Sequence, residues 1–298
     1  MEKRSKILIL DNSKNTENLL TFAIQWADLI NASIKVIRVI DEKVIKNTTM
    51  AIGAVGAIAR MIKDDFIKEA GEQIKTLSER YGVNVLLNIE VIVGNTLEEI
   101  TRAIDKAEAD FLILTPALKG PLGSIASEVV GYSKNNCIVL PTGVHYLKWD
   151  RVLLATDCSD KAESATEMAI EIAERFKGRL FILSVVTSNE EVQIHAPALL
   201  DKMADERKGM VTEIVNQARK RGVYAEGIVK DGIISNILID LNRTIRPDIT
   251  IMGSESRTGL NRVFMGSVVG SIINKVDHPI LVIKKPFIFK NEQRERQD

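Results

Sequence analysis

Short runs of aliphatic residues alternate along this chain with longer stretches whose apolar positions recur at a helical period. Ile7-Leu8-Ile9-Leu10 ends at Asp11, and 146 positions later Val152-Leu153-Leu154-Ala155-Thr156 ends at Asp157. In the stretch that follows, Leu19, Phe22, Ala23, Trp26, Ala27 and Ile30 are spaced i, i+3, i+4, i+7, i+8 and i+11. Adding 146 gives Ala165, Met168, Ala169, Ile172, Ala173 and Phe176, all of them apolar. One face of a 3.6-period helix is therefore written twice.

The echo continues. Residues 34–40 and 180–186 are β-branched runs of strand length at the same offset. Gly94 and Gly232 stand at equal distances before two further apolar strands, 111–114 behind Asp110 and 249–252 behind Asp248. There the offset is 138, so the first half carries about eight extra residues, and the Ala/Gly-rich segment 50–62 lies among them. Each half closes with a last strand, 137–140 and 280–283. Strands alternating with helices predict an α/β fold, a parallel sheet with helices on both faces joined by right-handed crossovers. Residues 141–149, with Pro141 and Gly143 and no periodicity, read as a linker. Two domains, 1–144 and 147–288, and a polar tail over 289–298 are expected.

Composition agrees with that division, since 298 residues suit two domains of about 150. The 40 basic and 40 acidic side chains leave no net charge, which speaks against a nucleic-acid-binding protein. An apolar share of 45% excludes a disordered chain. Cys137 and Cys158 are too few for a disulfide framework, so a reducing compartment is the default. No run reaches the ~18 apolar residues of a membrane span, and the apolar run 7–10 is too short for a signal peptide. The expectation is a cytoplasmic protein.

In open α/β sheets, ligands bind beyond the carboxyl ends of the strands. Asp11 and Asp157 fall there, as does the loop after the fourth strand of each half. In the second half this loop begins at Gly253 and leads to Gly266-Ser267, which opens the periodic run Val268, Val269, Ile272, Ile273 and Val276. A Gly/Ser loop feeding a helix start offers amides, a hydroxyl and a favourable dipole to an anion, and Arg257 and Arg262 add positive charge. The plainer reading is a turn and cap. Neither Gly-x-x-x-x-Gly-Lys-Ser/Thr nor a strand-linked Gly-x-Gly-x-x-Gly is present.

The chain resembles a tandem universal stress protein. Members carry a Gly-x2-Gly-x9-Gly-Ser/Thr loop after the fourth strand, and Gly253, Ser256 and Gly266-Ser267 fall at those spacings, with Ser256 in place of the second glycine. The resemblance implies two Rossmann-like (adenine nucleotide alpha hydrolase-like) domains, each with a five-stranded parallel sheet. It further implies a pocket for ATP or AMP, with Mg²⁺ accompanying ATP. Asp157, beside Ala155 and Thr156, would engage the ribose or adenine side, and Val185 would offer backbone bonds to adenine. Gly253, Gly266, Ser267 and Val268 would surround the phosphates. Ser256 departs from the pattern, because a Cβ is disfavoured where φ is positive or a phosphate approaches closely.

The first half departs further. Thr115 to Gly123 spans 8 positions where Gly253 to Gly266 spans 13, and Pro116 and Pro121 remove amide donors. Asp11, Val39 and a helix start at Gly123-Ser124 remain, so this half is expected to have lost triphosphate binding. Family members pair through their last strand, which implies a pseudo-dimer of the two domains within the chain, and homodimerisation is compatible with it.

Other candidates are weaker. His145, His195 and His278 show no metal-ligand spacing. Cys158 has no evident cationic neighbour and reads as a passive small residue. Asp160 with Glu163 fits an N-terminal capping arrangement. Residues 202–221 read as a solvated helix face. Segment 50–62 reads as a helix packed within the chain, or as a docking surface for a partner protein or, less well supported for want of flanking aromatics, for a membrane surface. The leading expectation is a non-catalytic nucleotide-binding stress protein acting through a ligand-dependent partner. The alternatives are a nucleotide-free interaction scaffold and a slow ATP hydrolase.

Overall fold

Apolar runs this short, bounded by polar turns, are buried on both faces only when helices cover both sides of a sheet. A computed structural model describes residues 4–11, 16–43, 55–81, 86–116, 119–120, 123–144, 146–186, 197–254 and 264–289. The chain divides into two units, Met1–Leu147 with Ile288–Asp298, and Lys148–Phe287.

In the first unit the elements are β1 (Ser5–Asp11), α1 (Thr16–Ile30), β2 (Ala32–Asp41), α2 (Val55–Tyr81), β3 (Leu87–Gly94), α3 (Thr96–Ala107) and β4 (Phe111–Leu114). They are followed by the two-residue strands β5 (Lys119–Gly120) and β6 (Gly123–Ser124), then α4 (Ala126–Tyr132) and β7 (Asn136–Val139). The parallel sheet runs β7-β4-β1-β2-β3. Strand β1 at its centre is buried from Ile7 to Asp11, and Phe22, Trp26 and Phe111 fill the adjoining core.

The second unit repeats the plan. It comprises β8 (Arg151–Ala155), a 3₁₀ turn (Asp160–Ala162), α5 (Glu163–Arg175), β9 (Arg179–Val186) and α6 (Pro197–Lys220). After these come β10 (Tyr224–Asp231), α7 (Ile234–Thr244), β11 (Ile249–Gly253), α8 (Phe264–Ile272) and β12 (Ile280–Ile283). Its parallel sheet runs β10-β9-β8-β11-β12. The α/β fold with parallel sheets and covering helices is thus the observed architecture.

Side-chain detail repeats with the fold. Asp110 accepts the Lys6 amide at 2.9 Å, and Asp248 accepts the Arg151 amide at 2.8 Å, so each half uses an aspartate before its fourth strand to satisfy the start of its first. Gly178, entering β9, has no room for a side chain, because a Cβ would lie 1.9 Å from the Trp149 carbonyl oxygen. Trp149 stacks there on Phe176, with ring centroids 5.0 Å apart. Among the described residues, no helix is long and apolar enough to cross a membrane.

Four local expectations need correction. Gly123-Ser124 does not start a helix: it pairs antiparallel with Lys119–Gly120, and α4 begins after Ile125. Gly266-Ser267 lies inside the first turn of α8, which starts two residues earlier at Phe264. Asp160 is not a cap, since Ser159 occupies that position and Asp160 is already helical. The tail expected over 289–298 does not begin with an exposed residue, because Phe289 is buried against Trp26, with ring centroids 6.4 Å apart in the first unit, and 290–298 lie outside the described residues. Of segment 50–62, residues 50–54 lie outside the described residues and the rest opens α2, where Met61 is exposed. Residues 202–221 carry a solvated face but also bury Val211, Ile214, Val215 and Ala218.

Candidate functional site

Because β9 and β11 flank β8 in parallel, their carboxyl ends meet at one edge, and that edge carries Ala155, Thr156, Asp157, Val185 and Gly253. Ala155 closes β8 opposite Met252 of β11 and Leu183 of β9. Thr156, buried, donates its amide to the Leu183 carbonyl at 2.9 Å. Leu183 therefore faces β8, and Val185, two residues on, presents its main-chain groups to the same side, beyond the last ladder pair.

The chain turns sharply after Thr156. The Thr156 hydroxyl accepts the Cys158 amide at 2.9 Å, and Cys158 is left-handed at φ 56°. One oxygen of Asp157, Oδ1, accepts both the Ser159 amide at 3.0 Å and the Ser159 hydroxyl at 2.6 Å. These bonds replace the expected capping pair: the acceptor for the helix entrance comes from Asp157, three residues before Asp160. The Asp157 side chain stays half-buried at the rim.

Gly253 ends β11 opposite Ile283, and a Cβ added there would lie 3.5 Å from the Ala162 Cα, an ordinary contact. Ser254 continues the ladder by donating to the Ile283 carbonyl at 2.9 Å. Ser256 lies outside the described residues. Gly266 and Ser267 belong by backbone to the first turn of α8, where amides have no intrahelical partner, and Val268 follows half-buried.

Two residues here carry no motif in the sequence. Arg207, half-buried on α6, donates from Nη1 to the Asp157 main-chain carbonyl. Ser184, fully buried on β9, faces Cys158, whose Sγ lies 3.8 Å from its Oγ. Cys158 therefore does have a cationic neighbour, contrary to expectation. Burial nonetheless pushes its thiol above the ordinary value, against the opposing pull of the Ser184 hydrogen bond and the Arg207 charge.

The corresponding edge of the first unit is built differently. Asp11 ends β1 with its side chain only 1% exposed, and it is paired with Arg38 of β2. Arg38 donates from Nε at 2.7 Å and from Nη2 to Oδ2, while the Thr16 hydroxyl donates to Oδ1 at 2.8 Å. Burial draws the Arg38 guanidinium below its usual pKa, and Asp11, with the more distant Glu69, opposes the drop. Arg38 stands at the register position of Asp11 in β2, a pairing that no motif in the sequence marks.

His278 lies away from these edges, near the start of β12, buried between Thr250 and Asn242. His145 and His195 lie outside the described residues. Among the described residues, no cluster of histidine, cysteine and carboxylate side chains is arranged to hold a metal.

A parallel α/β unit with a carboxylate turn after its first strand and a helix after its fourth defines the class: an open-sheet α/β domain with helices on its faces. Residues 148–284 match the model of the Universal stress protein family. The chain is similar to universal stress protein MJ0531 of Methanocaldococcus jannaschii, 26% identical over 142 residues, covering 46% of this chain and 84% of that protein. Universal stress protein MJ0577 of the same organism is 26% identical over 155 residues, covering 46% of this chain and 96% of the relative. The crystal structure of a universal stress protein from Archaeoglobus fulgidus shares the fold over 94% of this chain and 96% of its own, with a TM-score of 0.68 at 18% identity.

Proposed function

We propose that the chain is a tandem universal stress protein that binds an adenine nucleotide, ATP or AMP, in its second unit and acts in stress response or signalling through a ligand-dependent partner. The observation that supports this reading is the position of Asp157, Val185 and Gly253 at the carboxyl ends of β8, β9 and β11 in one parallel sheet, within the segment that matches the family. A carboxylate oriented by Ser159 suits a ribose hydroxyl, which donates to it. The Val185 main chain suits the hydrogen-bonding edge of a base. At the far side, amides of a helix start suit phosphate oxygens, and Mg²⁺ enters with ATP as its counter-ion. Occupancy would shift the Gly253–Ser267 loop and so alter a surface that a partner reads. Pairing of the two units through β7 and β12 belongs to the same proposal, as does the cytoplasmic setting.

The test starts from the purified full chain. It is denatured, the released small molecules are identified, and ATP and AMP are then titrated into the wild type and S267A. Released nucleotide and saturable binding are expected. S267A should weaken binding by about tenfold or more, the usual effect of losing a hydrogen bond to a charged group. Absence of both co-purified nucleotide and binding would sink the proposal in favour of an interaction scaffold.

A further inference from the structure

We propose that Arg38 is a built-in occupant of the first unit's crevice, and that the strand position it shares with Ser184 decides which crevice accepts a nucleotide. The inference rests on the nucleotide reading of the second unit and adds the residue that confines it there.

Asp11 and Asp157 hold matching places, each at the end of the central strand of its sheet. Around Asp11 the neighbours form a closed set. Thr16 takes Oδ1 and Arg38 takes Oδ2, while Arg38 Nη2 also bonds the Thr16 hydroxyl at 3.1 Å. The carboxylate is almost entirely shielded and the Arg38 side chain is 14% exposed. A ribose hydroxyl seeking this carboxylate must displace a guanidinium, which would leave a buried ion pair broken and one charge uncompensated. Breaking such a pair costs far more than a neutral hydroxyl returns.

The repeat supplies the control within the same chain. At the 146-residue offset Arg38 becomes Ser184 and Thr16 becomes Ala162, so both side chains that grip Asp11 are replaced by small ones. At the 138-residue offset Glu69 on α2, whose charge acts on Arg38, becomes Arg207 on α6. The cation has moved from the strand to the helix, and it bonds the main-chain carbonyl of Asp157 instead of the carboxylate. Three matched positions change together: two move the guanidinium from the carboxylate in the first unit to the main chain in the second, and the third removes the hydroxyl that takes Oδ1. The shortened loop 115–123 explains lost phosphate contacts; Arg38 explains why the sugar side is also closed. The two losses are independent and fall on the same crevice.

Carboxylate labelling of the intact chain with a carbodiimide and an amine, read by peptide mass spectrometry, tests this without relying on binding alone. In the wild type, Asp157 is expected to be modified and Asp11 spared, and saturating ATP should suppress modification of Asp157 only. In R38S, Asp11 should become modified. T16A/R38S, which gives the first unit the second unit's residues at both positions, should behave likewise, with circular dichroism reporting that each variant is folded. In R38K, which keeps a cation at the position, Asp11 should stay spared. Suppression by ATP at Asp11 of the wild type would overturn the inference. So would an unmodified Asp11 in folded R38S or T16A/R38S. If ATP protects neither aspartate, the nucleotide reading of the second unit falls, while the shielding by Arg38 is still decided by the variants.

Discussion

At the scale of single residues, His278 shows how a buried group sets the conditions under which the second unit holds together. Its ring is 5% exposed, with Nε2 2.7 Å from the Thr250 hydroxyl and Nδ1 3.0 Å from the Asn242 amide oxygen. That arrangement suits the neutral ring, with Nδ1–H donating to Asn242 and Nε2 accepting from Thr250. Burial pushes the pKa down to about 4, against the weak opposing pull of exposed Asp277 at 3.7 Å. The folded state therefore binds this proton less readily than the unfolded chain does. Its contribution is fully present above the unfolded value near 6.5 and is lost as pH falls towards 4. Urea unfolding should show the wild type losing about 2 kcal/mol from this group between about pH 7 and pH 4.5. H278Q should be less stable at neutral pH, with a visibly flatter acid limb. An unchanged slope in H278Q would show that carboxylates elsewhere carry the acid sensitivity.

At the scale of elements, the repeat extends to the backbone of the connections. Asn31 and Lys177, 146 positions apart, are left-handed at φ 49° and 55° between a first helix and a second strand. Glu108 and Arg246, 138 apart, are left-handed at φ 45° and 51° ahead of a fourth strand. The same two offsets that align the sequences thus align conformations that L-residues adopt only at a cost of about 1 kcal/mol. At Lys177 the turn also draws the Gly178 amide back to the Ala173 carbonyl at 2.9 Å, closing α5. K177G should raise stability by roughly 0.5–1 kcal/mol in urea unfolding. G178A should lower it, because the added methyl would meet the Trp149 carbonyl oxygen. Strands, helices and the duplication were legible in the sequence, since sheets covered on both faces demand continuous apolar runs. The β5–β6 ribbon and the true start of α8 were not. Both depend on hydrogen bonds that carry no apolar period, and Gly-Ser pairs suit a turn, a strand end or a helix start equally well. Within the candidate site, Asp157, Val185 and Gly253 could be found from strand ends. Arg38 and Arg207 could not, because which carboxylate or carbonyl a long cation reaches depends on neighbouring strands and helices.

At the scale of the whole molecule, a chain with 40 acidic and 40 basic side chains and no net charge carries two units of like fold and unlike crevices. Electrostatic difference between them comes from where single charges sit, with a guanidinium on a carboxylate in one and on a main-chain carbonyl in the other. Both units keep what the fold needs, such as the aspartates before β4 and β11, while the residues at their crevices differ. If one crevice is self-occupied, a nucleotide should stabilise the two units unequally. A ligand that binds only the native state adds about 2.7 kcal/mol at a hundred times its dissociation constant, and only to openings that destroy its site. Hydrogen exchange with and without ATP resolves this along one chain. Amides of β8, β9 and β11 should exchange about a hundredfold more slowly under those conditions, while those of β1, β2 and β4 keep their rates. Equal slowing in both sets would mean that ATP enters both crevices or that the units open as one body. The R38S chain tells these apart: slowing at β1 that grows when the guanidinium is removed marks direct binding at Asp11, and slowing that does not change marks a common opening.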